Sequence, residues 1–234
     1  MNILEGQHWV VIPSRANSQR FHNKALAELS GETLIDRAIR TARKTLCMTN
    51  NIVVSTNDHE LIKKIPPYIG IHVRPDEYAE SNTRIDDTLI DLIYTLKEVP
   101  EYIHLVQLTS PFIKDEHILT GLNILHTFKY LDSVQLIAPI PNAYHAYSQR
   151  VIDGNRVGFK YPIEREECYN SQLKPKHYAF CGYIGFKTAS LLKYNNIWGK
   201  ESMPIVGSSD CLIDIDTPED MQFAEFILEK GNKE

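Results

Sequence analysis

The chain has 234 residues, of which 43% are hydrophobic and 24% are charged, a balance that is ordinary for a globular protein of one or two domains. Its 25 basic and 30 acidic side chains give a formal net charge of −5. This acidic balance argues against nonspecific nucleic-acid binding, so we predict no nucleic-acid partner, but it still allows a local basic pocket for a small phosphate ligand.

The cysteines and the N-terminal segment bear on the compartment. None of the four cysteines lies in a C-x-x-C pair, so the sequence indicates neither a zinc ribbon nor a redox motif. The first 13 residues carry Glu5 and no basic stretch, unlike a signal peptide. The sequence contains no run of about 18 apolar residues, so it predicts no membrane-spanning helix. We therefore expect a cytoplasmic protein with no membrane association.

Short apolar runs alternate with amphipathic stretches along the first 138 residues. The predicted strands are 8–13, 51–56, 69–73, 102–108 and 133–138. The predicted helices are 32–46, 58–65, 84–97 and 114–128. This alternation is typical of an α/β fold, a Rossmann-like and mostly parallel sheet with helices on both faces.

The pattern changes after residue 138. Residues 139–186 hold several prolines and tyrosines with short alternating runs, which predicts a β-rich dimerisation lobe inserted into a single domain of residues 1–234. The helical pattern returns near Thr188. We predict a strand at 211–216 and then a helix, with Thr217 as its N-cap, Pro218 at its first position and Asp220 completing a capping box.

A cationic loop follows the first predicted strand directly. Residues 12–24 include Arg15, Arg20 and Lys24, and ligands of open α/β sheets bind where strands end. Backbone N–H groups and these cations can surround a triphosphate. The glycine spacings of a P-loop and of a dinucleotide-binding loop are both missing. The alternative is a solvated surface loop with three unrelated cations.

Two acidic residues lie near the C-terminal end. If residues 211–216 form a strand, Asp214 and Asp216 point to the same side. Their mutual repulsion is relieved by a hard cation such as Mg²⁺, which takes oxygen ligands. The alternative is that Asp216 only favours the N-terminus of the following helix.

Two further segments end predicted strands. Gln107, Thr109 and Ser110 lie at the end of the strand predicted at 102–108 and can line a cleft, although such residues also serve as caps and turns. Arg74 follows the strand at 69–73 and can reach a base or a phosphate, although an isolated arginine is more often simply solvated.

Together and in this order, the segments resemble the cytidylyltransferases that activate acidic sugars, namely the CMP-sialic acid and CMP-Kdo synthetases. The resemblance covers nearly the whole chain. It rests on the motifs IPSRANSQRFHNKALAELSGETLI, IVVSTND, VRPDEYAE, VQLTSPF and LIDIDTPEDMQFAE. The motif QLTSPF is similar to the sialic-acid branch, whereas the spacing of Arg20 and Lys24 also suits the Kdo branch.

The resemblance implies a fold of the nucleotide-diphospho-sugar transferase type and a homodimer whose lobe completes the partner's sugar site. It implies that an acidic 2-keto sugar reacts with CTP, in the presence of Mg²⁺, to give a CMP-sugar and pyrophosphate. The implied nucleotide-binding residues are Arg15, Asn17, Ser18, Arg20, Lys24 and Arg74. The implied sugar-binding residues are Gln107, Thr109, Ser110, Tyr183 and Trp198. Asp214 and Asp216 are the implied metal ligands and, with Arg15 and Lys24, the implied catalytic residues.

The chain departs from the family pattern mainly on the sugar side. Gln19 and His22 replace a lysine and a proline of the loop. Ala179 and Cys181 occupy positions that hold Arg and Asn in the sialic-acid branch. We therefore hypothesise a modified nonulosonic acid as the acceptor. The alternatives are a CMP-Kdo-type synthetase, a non-catalytic sugar-nucleotide-binding homologue, and an enzyme that acts on a neutral sugar phosphate or alcohol.

Overall fold

The computed structural model of the protein describes residues 8–16, 21–46, 52–97 and 99–231. Within these ranges the strands are β1 (His8–Ser14), β2 (Glu28–Leu29), β3 (Glu32–Thr33), β4 (Ile52–Thr56), β5 (Gly70–Val73), β6 (Tyr102–Val106), β7 (Ser133–Pro139), β8 (Arg150–Asp153), β9 (Arg156–Phe159), β10 (Tyr178–Lys187) and β11 (Ser202–Val206). The α-helices are α1 (Leu34–Leu46), α2 (His59–Ile62), α3 (Ile85–Thr95), α4 (Asp115–Thr127), α5 (Pro162–Glu167), α6 (Thr188–Tyr194) and α7 (Pro218–Gly231).

The described part of the chain contains a seven-stranded sheet in the order β11–β7–β10–β6–β1–β4–β5. Its neighbouring strands pair in parallel except at β10, which runs antiparallel to both β6 and β7. The predicted α/β fold is therefore confirmed. None of the helices in the described ranges has the length and apolar character to cross a bilayer.

The central strands are buried on both faces, which explains their nearly continuous apolar sequence. In β1, Val10 and Ile12 belong to a core with α1 and α4, while Val11 faces a second core with α3 and α6. Successive side chains of a strand point to opposite faces, so this single strand anchors both helical layers.

The predicted strand at 211–216 is wrong. Residues 209–212 form a 3₁₀ turn, and the extended residues that follow join no sheet. The Ile215 N–H instead donates to the Thr109 carbonyl over 2.8 Å. Because Ile215 is fully buried while Asp214 is exposed, the expected alternation of side chains survives without a strand. One edge strand of the sheet, β11, was not predicted from the sequence.

The inserted lobe is shorter than predicted. It lies between β7 and β10 and contains the β8–β9 hairpin and α5. Residues 178–186, which we had placed in the lobe, belong to β10 inside the main sheet. Because β7 and β6 run parallel and β10 runs against them, the lobe leaves the sheet at the edge where β1, β4, β5 and β6 end.

A row of three histidines lies at the opposite edge of the sheet. His8 Nδ1 is 3.0 Å from His104 Nε2, and His8 Nε2 is 2.7 Å from His126 Nε2. The ring of His8 also stacks on Tyr102 at 4.6 Å. Burial, followed by the charges of His126 and Lys129, lowers the pKa of His8 to about 3. The folded protein therefore keeps His8 neutral.

We expect acid to destabilise the protein through this row. The pKa of His8 falls from 6.5 to about 3 on folding, so between these values the unfolded chain binds more protons and stability is lost as the pH drops below 6.5. Each such histidine contributes a slope of up to about 1.4 kcal/mol per pH unit. Urea unfolding at pH 5, 6 and 7 measures the slope. His8→Phe should flatten it, and a slope equal to that of the wild type would contradict the assignment.

Candidate active site

The carboxyl ends of three parallel strands lie side by side in register. Ser14 of β1 pairs with Thr56 of β4, and Thr56 pairs with Val73 of β5. The next residues of the chain therefore emerge together at one edge, and they include Arg15 and Arg74. This is the position at which open α/β sheets bind ligands.

A cleft of about 600 Å³ opens at this edge. The predicted site residues that line it are Arg15, Lys24, Arg74, Gln107, Thr109 and Asp216. Its other lining residues include Glu80. Three cationic side chains, Arg15, Lys24 and Arg74, therefore line the cleft together with two acidic ones, Glu80 and Asp216. An excess of positive charge in a concave site favours a polyanionic ligand.

Lys24 and Asp216 join the two ends of the chain in this cleft. Lys24 Nζ lies 2.7 Å from Asp216 Oδ1, although the residues are 192 positions apart. The Lys24 side chain is only 12% exposed and that of Asp216 is 33% exposed. Ala25, which is buried in the core, holds the short 3₁₀ turn that carries Lys24. The cationic loop and the C-terminal acidic segment thus converge, as predicted.

The α7 N-terminus fixes the position of Asp216. Asp220 Oδ2 accepts hydrogen bonds from the backbone N–H groups of Asp216 and Thr217, at 3.0 and 2.8 Å, and from the Thr217 hydroxyl. The Asp220 N–H in turn donates to Thr217 Oγ1. This is the predicted capping box, and it satisfies N–H groups that a helix start leaves unpaired. The helix cap therefore also orients a cleft carboxylate.

Asp214 lies beside the cleft rather than in its lining. Burial by the surrounding protein raises the pKa of Asp214; a hydrogen bond from the Thr109 side chain opposes the rise, and the nearby Asp216 carboxylate adds to it. Because Asp214 keeps an exposed surface, solvent screening limits these effects. The Asp216 carboxylate thus disfavours the charge of Asp214, and two neighbouring carboxylates are a suitable oxygen donor set for a hard cation.

Arg74 is a buried cation whose polar partners are neutral. Its Nη2 donates to the Ser55 carbonyl over 3.0 Å, and its Nε donates to Ser55 Oγ over 3.3 Å. In the described part of the chain, none of the hydrogen-bond or ion-pair partners found for Arg74 is a carboxylate. Burial, followed by the charge of Arg15, lowers the pKa of Arg74 to about 10. The guanidinium remains charged at neutral pH and can accept an anionic partner.

The start of the cationic loop is held by an asparagine. Asn57 Oδ1 accepts the Ala16 N–H over 2.9 Å, and Asn57 Nδ2 donates to Asp76 Oδ1 over 3.2 Å. Arg15 donates to the Glu80 carbonyl. Asn17, Ser18 and Arg20, which we predicted to bind the nucleotide, lie outside the described residues.

Gly182 permits the floor of the cleft to pack closely. It has a φ of +74°, and a Cβ added there would lie 2.0 Å from Ser110 Oγ and 3.4 Å from the Gln107 Cβ. Its carbonyl accepts the Gln107 N–H over 2.9 Å. The absence of a side chain at Gly182 therefore fixes where Gln107 stands.

Gly182→Ala is expected to lower the free energy of unfolding by about 2–4 kcal/mol, because a left-handed φ and a steric clash add together. Urea unfolding measures the change. Gly154→Ala is the matched control, since Gly154 has a φ of +56° but open space around it, and it should cost about 1–2 kcal/mol. Equal losses in the two variants would show that the contact with Ser110 contributes nothing.

Three predicted sugar contacts do not line the cleft. Tyr183 is fully buried, and its hydroxyl lies 2.9 Å from His104 Nδ1. Ser110 is buried against Gly182 and faces a small separate recess. Trp198 packs edge-on against Phe180 at 5.2 Å. In this structure Tyr183 cannot touch a substrate, so that prediction is wrong.

Sequence reasoning assigned no site residue to the segment between β5 and α3. Four of its residues line the cleft, namely Tyr78, Glu80, Ser81 and Thr83, and so does Ile85, the first residue of α3. The run EYAESNTRI follows a strand end, and that position alone could have identified it. Thr88, in the first turns of α3, lines the cleft as well.

Comparison with known proteins agrees with this geometry. The family model described as "Cytidylyltransferase" matches residues 9–150, which is more than half of the chain. This chain belongs to the cytidylyltransferase family. The match includes Arg15, Lys24, Arg74 and Gln107, so the cationic side of the cleft lies within the part that defines the family.

Two curated proteins with related sequences have the same name. A 3-deoxy-manno-octulosonate cytidylyltransferase from Pseudoalteromonas atlantica is 26% identical over 147 residues, covering 61% of this chain and 55% of the relative. A protein of the same name from Elusimicrobium minutum is 23% identical over 203 residues, covering 82% and 79%. The chain thus spans about half the length of the first relative and four fifths of the second.

Solved structures show the same fold. CMP:2-keto-3-deoxy-manno-octonic acid synthetase complexed with CTP aligns with a TM-score of 0.71 at 14% identity, covering 96% of this chain and 99% of that one. The 4-diphosphocytidyl-2C-methyl-D-erythritol synthase of Anaerococcus prevotii aligns with a TM-score of 0.63 at 16% identity, covering 97% and 98%. The cytidylyltransferase fold therefore extends over nearly the whole chain.

Proposed function

We propose that this cytidylyltransferase joins CTP to an acidic 2-keto sugar, giving a CMP-sugar and pyrophosphate. The observation that carries the proposal is the convergence of Lys24 and Asp216 at 2.7 Å, beside the buried cation of Arg74. A cationic cleft with one flanking pair of carboxylates suits a metal-bound triphosphate better than a neutral ligand.

In the proposed reaction the anomeric hydroxyl attacks the α-phosphate of CTP and pyrophosphate leaves. Nucleotidyl transfer depends on in-line geometry and charge neutralisation rather than on covalent help from the protein. Arg15 and Lys24 would hold the phosphates, Arg74 would help to seat the nucleotide, and Gln107 and Thr109 would face the sugar. All five side chains line the one cleft.

Mg²⁺ is part of this proposal. The carboxylates of Asp216 and Asp214 are its proposed protein ligands, since Mg²⁺ commonly takes one or two carboxylates and completes its shell with phosphates and water. When bound, the ion would neutralise phosphate charge and polarise the phosphoryl oxygens. In the described residues no cluster of three or more side chains suited to a metal occurs.

The proposal also concerns which acidic sugar is the acceptor. The curated relatives are named for 3-deoxy-manno-octulosonate, which supports the CMP-Kdo-type alternative over the modified nonulosonic acid that the sugar-side departures had favoured. Both acceptors are acidic 2-keto sugars, so the same nucleotide chemistry serves either. We propose the octulosonate first and a nonulosonate second.

Pyrophosphate release tests the proposal. The purified protein is incubated with Mg²⁺, one of four nucleoside triphosphates, and either 3-deoxy-manno-octulosonate or a panel of nonulosonic acids. Release with CTP and the octulosonate supports the first acceptor, and release with a nonulosonate alone supports the second. CTP binding without release on any acid sugar would support a non-catalytic homologue. Turnover of neutral sugar phosphates would overturn the proposal.

We also propose that the protein is a homodimer joined through the inserted lobe. The lobe exposes large apolar side chains that a monomer leaves in water. The most exposed are Tyr144, Ile152, Val157, Ile163 and Tyr169, each at least 66% exposed. Ile152 and Val157 are cross-strand partners in the β8–β9 hairpin, and exposed apolar surface of this kind marks interaction sites. Because the lobe starts at the cleft edge, a second copy packed there would reach the sugar side of the site.

Replacing Ile152 and Val157 together with glutamate should convert the proposed dimer to a monomer, since buried charge without a partner opposes association. Sedimentation equilibrium gives the mass of each form. Tyr94→Glu, on an exposed residue of α3 outside the lobe, is the control and should leave the mass unchanged. A wild-type protein that sediments as a monomer would overturn this part of the proposal.

A further inference from the structure

The geometry points to a positioning network, Asp91–His72–Ser55, that orients Arg74 towards the nucleotide. The inference rests on the proposed function, because it takes the ligand of Arg74 to be CTP. It concerns three side chains that do not line the cleft themselves. They act through Arg74, and they are positioning residues rather than catalytic ones.

Strand alternation places the network on one face of the sheet. Ser55 of β4 and His72 of β5 are partners in register, so their side chains are neighbours. Val53, two residues before Ser55, belongs to the core that includes α3 residues; Ser55 and His72 therefore face α3. Asp91 projects from that helix, and Arg74 follows His72 by two positions on the same face.

Consecutive hydrogen bonds connect the side chains of the network. His72 Nε2 is 2.9 Å from Asp91 Oδ2, and His72 Nδ1 is 2.9 Å from Ser55 Oγ. Ser55 Oγ accepts a hydrogen bond from Arg74 Nε over 3.3 Å. Ser55 is fully buried, and the side chains of His72 and Asp91 are 3% and 23% exposed. Solvent therefore competes only at the Asp91 end.

The guanidinium at one end of the network and the carboxylate at the other restrict the direction of its hydrogen bonds. A guanidinium only donates and a carboxylate only accepts. Because the Asp91 carboxylate only accepts, a neutral imidazole carries its single proton on Nε2 and donates it to Asp91. Nδ1 is then an acceptor, so Ser55 Oγ donates its proton to Nδ1 while it accepts from Arg74 Nε. This tautomer follows from the network together with a neutral ring. Burial lowers the pKa of His72 despite the opposing effect of Asp91, which agrees with a neutral ring.

The network leaves three of the five N–H groups of Arg74 to bind a ligand. The hydrogen bonds to Ser55 occupy two of the five N–H groups of Arg74. Arg74 is among the residues that line the cleft, and we infer that the remaining N–H groups serve the ligand there. A side chain held in its binding orientation loses less conformational entropy when the ligand arrives. The network should therefore lower KM for CTP and leave kcat nearly unchanged.

The test compares Ser55→Ala and His72→Phe with Ser190→Ala in full-length protein. Ser190 is a buried serine that donates to Asp132 over 2.6 Å, so its removal loses a similar bond outside the cleft. Both network variants should raise KM for CTP about threefold to tenfold, as expected for one hydrogen bond, with kcat within about twofold. Ser190→Ala should lower Tm and leave KM unchanged.

A second measurement needs no nucleotide. NMR should find His72 protonated only on Nε2 at neutral pH, and solvent exchange at Arg74 Nε–H should be faster in Ser55→Ala than in the wild type. If Ser55→Ala only lowers Tm and changes neither KM nor this exchange, the inference is overturned. If the wild type binds no CTP, the proposed function fails, and the exchange rates alone decide whether the network orients Arg74.

Discussion

Asp216→Asn is expected to lower kcat/KM for CTP by about 100-fold to 1,000-fold, the range typical of losing one preorganised electrostatic group. Asparagine keeps the size of the side chain but removes its charge. Lys24 then loses the carboxylate at 2.7 Å, and the proposed Mg²⁺ loses a charged oxygen ligand. Both losses act on the triphosphate, so the effect should appear in turnover as well as in nucleotide affinity.

The matched control for this variant is Asp210→Asn. Asp210 is an exposed residue in the 3₁₀ turn that precedes the acidic segment, and it does not line the cleft. It undergoes the same chemical change in the same part of the chain, and its activity should stay within about twofold of the wild type. Pyrophosphate release gives the rates, and thermal unfolding checks that both variants are folded. Near-normal turnover in folded Asp216→Asn would remove this carboxylate from the mechanism.

Lys24→Ala is expected to raise KM for CTP about 10-fold to 100-fold, since charge-assisted bonds to phosphate in a partly dry cleft are stronger than neutral ones. The Lys24 side chain is 12% exposed, so solvent screens its charge weakly. Its loss also leaves Asp216 without its cation beside the bound phosphates. We expect KM to change more than kcat.

Lys63→Ala provides the comparison for Lys24→Ala. Lys63 forms a 2.6 Å pair with Glu60, but the two side chains are 68% and 74% exposed. Surface pairs of this kind contribute about 0–1 kcal/mol, so neither KM nor stability should change measurably. Steady-state kinetics at several CTP concentrations separate KM from kcat. An unchanged KM in Lys24→Ala would mean that the phosphates lie elsewhere.

Local patterns in the sequence predicted most of the sheet and part of the site. The strand–helix alternation was enough to place β1, β4, β5, β6 and β7, because each is a short apolar run flanked by polar turns. The capping pattern from Thr217 to Asp220 was predicted correctly for the same reason, since all of its hydrogen bonds are local.

What the sequence did not reveal depends on distant contacts. β11 contains Pro204, which reads as a strand breaker, yet an edge strand tolerates proline because one of its sides needs no partner. Ser110 lies shortly after β6, and only its packing against Gly182 shows that it faces the interior. Tyr183 pairs with Val106 of β6, and only its contact with His104 shows that it is buried. The link between Ser55, His72 and Asp91 likewise depends on the register of β4 and β5.

The separation of Lys24 and Asp216 along the chain has a consequence for biosynthesis. A nascent polypeptide that has left the ribosome only as far as β6 contains Arg15, Lys24 and Arg74 but not the acidic segment. β10 is synthesised after β6 and β7 and must insert between them. Contacts of such long range form slowly. We therefore expect the cleft to be complete only after the C-terminal segment has been synthesised.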